Sequence, residues 1–343
     1  MDDHSRHDTE RNRRVADDAR SRGCHADRRA LRRGAVVSAT ALCETLATAR
    51  YEITGPVGAP VVLALGGISA TRHVVRTDAD DTPGWWEGIV GRERPIDTTR
   101  FRVLSADFHD GGRARDGRPA ERITTHDQAA HIVDVLDELE IARLDVAVGA
   151  SYGGMVVLAL AERWADRVGR LVVISAAHEP HPMSTGLRAI QRRIVELGLD
   201  TGSSVAGMTL ARAVAMTTYR TAREFSERFG ETPECTERGT EFEVERYLIG
   251  AGEKFAARMR PERFLALSLS ADLHHVVPEA VTVPTTVIAA RGDTLVPPPQ
   301  MRAMSKRLPR LEAFHVLPTR FGHDAFLTEQ RKLGRLLTNT LAD

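Results

Sequence analysis

Cysteine is scarce in this chain: Cys24, Cys43 and Cys235 are the only three, odd in number and far apart. Such a set makes neither a disulfide framework nor a metal cluster, so a reducing cytoplasm is the expected compartment and no bound metal is expected. Long apolar runs are missing as well. No window holds the roughly 20 apolar residues that a membrane-spanning helix needs. No apolar stretch precedes Ala35, which argues against a secretory signal. Net charge is the third absence, because 47 basic residues balance 47 acidic ones. Without a global field, neither nucleic acid nor an anionic membrane is an expected partner, and any charged ligand has to be held locally.

What is present is ordinary globular material. Hydrophobic residues at 42% and charged residues at 27% set aside collagen-like and wholly disordered classes. The 343 residues suggest two domains, or one large α/β domain carrying an insertion. Residues 1–34 mix arginine, aspartate and histidine without periodic apolar positions, and are expected to form a disordered extension. From about residue 48, short apolar runs alternate with helical patterns. Strands are expected near 61–65, 101–105, 144–148, 171–175, 285–289 and 312–316, their continuous apolar character suiting parallel strands buried on both faces. Ala129, Ile132, Val133, Leu136 and Leu139 fall at helical spacing, with Thr125 and Gln128 as a capping-box start. The alternation implies a doubly wound, mostly parallel sheet. It stops near Pro180 and resumes near Val283. This predicts an α/β core over 48–180 and 283–343, with a helical cap over 181–282 covering the strand ends where such sheets bind ligands.

Gly149-Ala150-Ser151-Tyr152-Gly153 fits the G-x-S-x-G nucleophile elbow, with an apolar strand before it and a helix after it. The turn would hold the Ser151 hydroxyl above the sheet and place the Tyr152 N–H at a helix N-terminus, ready for an oxyanion. A serine needs a base, and the base needs an orienting carboxylate. In the order that this architecture uses, Asp293 follows the strand ending near Ala289, and His323 lies in the loop after the last strand. The second oxyanion donor is expected in Leu65-Gly66-Gly67-Ile68-Ser69, where Leu65, Gly67 and Ile68 all remain candidates and Leu65 is taken first.

Further motifs carry a family resemblance over about 49–341. Thr218-Tyr219-Arg220-Thr221 with Arg228-Phe229-Gly230 resembles a cap motif of the homoserine O-acyltransferases, which belong to the α/β-hydrolase superfamily. Phe242-Glu243-Val244-Glu245-Arg246-Tyr247-Leu248, Gly252-Glu253-Lys254-Phe255 and Gly322-His323-Asp324-Ala325-Phe326-Leu327 are similar to the same family. Ser151-Tyr152 departs from the usual serine-methionine elbow. That departure, the first loop, and Gly84-Trp85-Trp86 look closer to the succinyl-transferring branch.

The resemblance implies transfer of a succinyl group from succinyl-CoA to L-homoserine in methionine biosynthesis, by way of an ester on Ser151. Succinyl-CoA would serve as co-substrate, with no cofactor, and the enzyme would be a homodimer. Acetyl transfer and serine as acceptor stay open within the class, and a carboxylesterase or thioesterase outside it. Carried over by motif, Arg220 would grip the homoserine carboxylate and Asp324 its ammonium, a match of guanidinium to carboxylate and of carboxylate to cation. Arg320, three residues before His323, is expected to meet the terminal carboxylate of the succinyl group.

Overall fold

The apolar runs of the sequence become the centre of one eight-stranded sheet. The computed structural model describes residues 43–47, 50–230, 232–236 and 239–342, and the expected extension over 1–34 lies outside them. The strands are β1 (Cys43–Ala47), β2 (Tyr51–Pro56), β3 (Val61–Leu65), β4 (Arg102–Ala106), β5 (Leu144–Ala150), β6 (Val168–Ile174), β7 (Thr285–Ala290) and β8 (Leu311–Leu317). Their order across the sheet is β1-β2-β4-β3-β5-β6-β7-β8. The β1–β2 and β2–β4 pairs are antiparallel, and every pair from β4 to β8 is parallel. The result is the doubly wound, mostly parallel sheet that the alternation predicts.

Burial explains why the parallel strands read as unbroken apolar runs. Leu63, Leu65, Ala147, Val287 and Ala289 enter the core on one face of the sheet. Their neighbours Val62, Ala64, Val146, Val148, Ile288 and Ala290 enter the core on the other. A strand covered on both faces has no solvent side on which polar residues could alternate.

Helix α1 (Thr125–Glu138) packs Ala129, Ile132 and Leu136 into the first of these cores. Its capping box is Thr124 with Asp127, one residue earlier than Thr125 with Gln128. Thr125 and Gln128 point inward instead, where Thr125 Oγ1 pairs with His274 Nδ1 at 2.8 Å and Gln128 Nε2 donates to the His109 carbonyl at 2.6 Å. Helix α2 (Tyr152–Arg163) is buried from Tyr152 through Ala161 and forms the spine beneath the elbow.

Five helices run between β6 and β7: α3 (Pro182–Asp200), α4 (Ser204–Tyr219), α5 (Ala222–Arg228), α6 (Glu243–Ala256) and α7 (Pro261–Asp272). They share a small core of their own, including Val195, Met208, Phe255 and Phe264. After β7 come α8 (Pro298–Ser305), then, past β8, α9 (Ala325–Thr328) and α10 (Gln330–Ala342). Among the described residues no helix is long and apolar enough to cross a membrane.

The Gly84-Trp85-Trp86 segment has a structural role. Trp86 is fully buried, stacks on Trp85 and donates its indole N–H to the Phe326 carbonyl at 2.9 Å. It thus ties a distant loop to α9, just beyond His323. Replacing Trp86 by Phe keeps most of the apolar volume but leaves that carbonyl without its donor, which costs about 1–3 kcal/mol. Urea unfolding of Trp86→Phe should show the lower midpoint with an unchanged slope.

Candidate active site

Ser151 stands between β5 and α2 with φ at 55°, in the left-handed region that non-glycine residues rarely occupy. Its neighbours show what this turn requires. A Cβ on Gly149 would lie 2.3 Å from the Gly153 carbonyl oxygen, and one on Gly153 would lie 2.5 Å from that of Leu65. Two backbone bonds hold the turn: the Ser151 N–H donates to Ile174 at 2.9 Å and the Gly153 N–H to Gly66 at 2.8 Å. The Tyr152 N–H opens α2 and has no acceptor within the helix. The Tyr152 ring packs edge-on against Phe108, and its hydroxyl pairs with Ser270 at 2.7 Å, which anchors the elbow to the cap helix α7.

The loops after β7 and β8 bring the partners. Ser151 Oγ lies 2.8 Å from His323 Nε2, and His323 Nδ1 lies 2.7 Å from Asp293 Oδ2. Asp293 is buried, and its other oxygen accepts the Leu295 and Val296 N–H groups at 2.9 Å each. A carboxylate so placed fixes which imidazole nitrogen carries the proton. Burial pulls the His323 pKa down. The Asp293 charge and hydrogen bond, with the Asp324 charge, outweigh burial, and the net is a rise above 6.5 that Arg188 opposes.

A cavity opens onto Ser151 and His323 between the sheet and the cap. Gly67, Ile68 and Ser69 form one wall, and Arg188, Gln191, Arg212, Thr218 and Tyr219 form the cap side. Leu65 is the buried last residue of β3 and is not on this wall, so the loop's contribution to an oxyanion site shifts to Gly67 and Ile68. The arrangement can ionise a serine hydroxyl, direct it at an acyl carbon and stabilise the oxyanion that results.

Residues 60–330 match the family model of the alpha/beta hydrolase fold. The chain is 43% identical over 292 residues to a homoserine O-succinyltransferase of Xanthomonas campestris, covering 85% of this chain and 78% of that one. It is 32% identical to an L-serine/homoserine O-acetyltransferase of Streptomyces lavendulae, covering 85% of this chain and 91% of the relative. The chain belongs to the homoserine O-acyltransferase family of α/β hydrolases. In fold it resembles the crystal structure of homoserine O-acetyltransferase from Bacillus anthracis, with a TM-score of 0.76, 17% identity and coverage of 85% and 91%.

The substrate contacts expected of this acyltransferase from its motifs fare unevenly. Asp324 lines the cavity. It occupies the residue before α9 but makes no capping bond there. Arg220 does not line the cavity: its Nε donates to Asp324 Oδ2 at 2.8 Å, and Nη1 reaches Glu224 at 3.4 Å. It braces Asp324 through Nε. Arg320 points away altogether. Half exposed, it pairs with Glu227 on α5 at 2.7 Å and lies over the Phe321 ring.

Two other guanidiniums line the cavity, and the motifs had not singled them out. Arg212 lies over Tyr219 and Phe255 and makes no ion pair or hydrogen bond among the described residues. It is also the sole charged residue of α4, and a lone charge in an otherwise uncharged helix is the signal that could have found it. Arg188 donates from Nε to Asp272 at 2.7 Å, but Asp272 is shared with Arg192 at 2.6 Å, so this cluster keeps one positive charge in excess.

The raised His323 pKa sets a pH dependence. His323 has to be neutral to accept the serine proton, so activity is lost as pH falls through its folded-state value. With a neutral ester substrate, kcat/KM should show an acid limb above 6.5. Removing the Asp324 charge in Asp324→Asn should move that limb downward. A pH–rate profile of both proteins checks the sign.

Proposed function

We propose that this protein transfers a succinyl group from succinyl-CoA to the hydroxyl of L-homoserine through a Ser151 ester, a step of methionine biosynthesis. The observation that carries the reading is the charge inventory of the cavity beside the Ser151–His323–Asp293 relay. The Arg188–Asp272–Arg192 cluster has one positive charge in excess, and Arg212 supplies a second. Each half-reaction brings one carboxylate, that of the succinyl group and then that of the amino acid. An acetyl group would leave one of these cations unanswered inside a half-buried site, which is costly.

In the first half-reaction His323 Nε2 takes the Ser151 proton, and Oγ attacks the thioester carbonyl. The oxyanion is met by the Tyr152 N–H and by a loop N–H at Gly67 or Ile68. Collapse expels the CoA thiolate, which recovers the proton from the imidazolium. Homoserine then enters. His323 takes its hydroxyl proton, the oxygen attacks the ester, and Ser151 is regenerated with its proton. Asp293 holds the tautomer throughout. We assign the acyl carboxylate to Arg188, on α3. The amino-acid carboxylate goes to Arg212 and the ammonium to Asp324, whose second oxygen is held by Arg220. Water kept out by the cap keeps the ester from hydrolysis. Acyl-CoA donors are intracellular, which puts the proposed reaction in the cytoplasm, with succinyl-CoA as co-substrate and no cofactor.

We also read the enzyme as a homodimer. Met183, Ile190 and Leu197 recur every seven residues along α3 and are 64%, 55% and 63% exposed. Val205 and Leu210 on the neighbouring α4 are exposed as well. Such a stripe suits a helix pair with a second copy. Light scattering should give twice the 37.7 kDa chain mass. Ile190→Glu with Leu197→Glu should return it to the monomer value.

A matrix of acyl donors against acceptors, with products weighed by mass spectrometry, tests the reaction. Succinyl-CoA with homoserine should give the fastest transfer, and succinyl-CoA alone should add one succinyl group to the Ser151 peptide. Arg188→Met should lower acyl-enzyme formation from succinyl-CoA about 10- to 100-fold, the value of a charge-assisted bond of roughly 1.5–3 kcal/mol. Arg212→Met should instead raise the homoserine KM while the acyl-enzyme still forms. Retained activity in Ser151→Ala would sink the mechanism.

A further inference from the structure

On the inner side of α3, Ser184, Arg188, Gln191 and Arg192 face the interior. Three of them have partners: Ser184 donates to the Leu295 carbonyl at 2.7 Å, Arg188 pairs with Asp272, and Arg192 bonds Asp272 and Ser268. Gln191 is the exception. Its side chain is 4% exposed, lines the same cavity as Ser151 and His323, and has no hydrogen-bond partner among the described residues. Its amide reaches the cavity surface, so a ligand seated there can supply the partner that the protein does not. Gln191 also follows Arg188 by three residues, so the two side chains are neighbours on one helix face.

We infer that Gln191 is the second donor to the terminal carboxylate of the acyl group, and so a specificity-determining residue of this transferase. The inference rests on the succinyl reading above. A carboxylate presents two oxygens with about four acceptor sites. Arg188 has its Nε committed to Asp272, so it meets the carboxylate with what remains of its fork. A second guanidinium would over-neutralise the ligand. An amide N–H completes the contact without adding charge, and it finds in the bound substrate the partner that the protein withholds. Contact with the pantetheine arm is the competing role, and it would treat all CoA thioesters alike.

The readout is the ratio of kcat/KM for succinyl-CoA to that for acetyl-CoA in acyl-enzyme formation, followed as thiol release without acceptor. Gln191→Met, close in size, should lower this ratio about tenfold, the loss of one hydrogen bond to a charged group. Gln191→Glu keeps the shape and sets an anion against the carboxylate, so the ratio should fall about 100-fold or more. Labelling of Ser151 by a fluorophosphonate verifies that each variant is folded and its nucleophile active. The wild-type ratio is measured first. If wild type does not favour succinyl-CoA, the succinyl reading itself fails. If wild type favours it and Gln191→Glu keeps the ratio, the inference about Gln191 alone is overturned. Equal losses with both donors, or an effect confined to the homoserine KM, overturn it as well.

Discussion

Everything at this site depends on the absence of two Cβ atoms. Gly149 and Gly153 let β5 and α2 approach until backbone touches backbone, and only then does Ser151 sit at φ 55° with its oxygen lifted clear of the sheet. A non-glycine residue in that conformation costs about 1–3 kcal/mol and persists only where its surroundings over-determine it. Here they do so. Helix α2 is buried over ten successive residues, and the Tyr152 hydroxyl is pinned to Ser270. His323 and Asp293 come from loops leaving β8 and β7, so the parallel register of the sheet sets all three groups at one level.

A chain with no net charge handles charged substrates by local surplus. Around the cavity the ion pairs are unequal: one aspartate answers two arginines on α3, and Arg212 is answered by two aromatic faces. Asp324 is supported by Arg220 from behind, which leaves its remaining oxygen toward the cavity. Cation–π contact holds a guanidinium in place without cancelling its charge, so Arg212 stays positioned and electrostatically available.

The parts legible in the sequence share a physical reason. Parallel strands buried on both faces leave unbroken apolar runs, and the elbow needs small residues at fixed offsets, so both leave local marks. β2 left none, because Glu52 and Thr54 are buried alongside Tyr51 and Ile53. Glu52 is kept there by His73, whose Nδ1 lies 3.1 Å from its carboxylate, and periodicity does not register a polar residue satisfied from another segment. The capping box moved by one residue because Thr124 and Thr125 are alike in sequence and differ in what they face. The arginines were hardest to place. Arg220 and Arg320 are paired with Asp324 and Glu227, which lie 104 and 93 residues away along the chain. A guanidinium on a long flexible stem goes where its carboxylate is, and local motif spacing carries no record of that.

The polar inner face of α3 has a consequence for how such proteins change over generations. The residues that make and break bonds sit on strand ends and an elbow packed against the central core, where substitutions carry heavy penalties. Arg188 and Gln191 sit on α3, outside the strands of the sheet and beside the cavity. Substitutions there leave the sheet and the elbow as they were and reach the relay only through the Arg188 charge that His323 feels. On the reading proposed above, selectivity lies on one stretch of chain and bond-making on another, so few substitutions separate one acyl donor from the next.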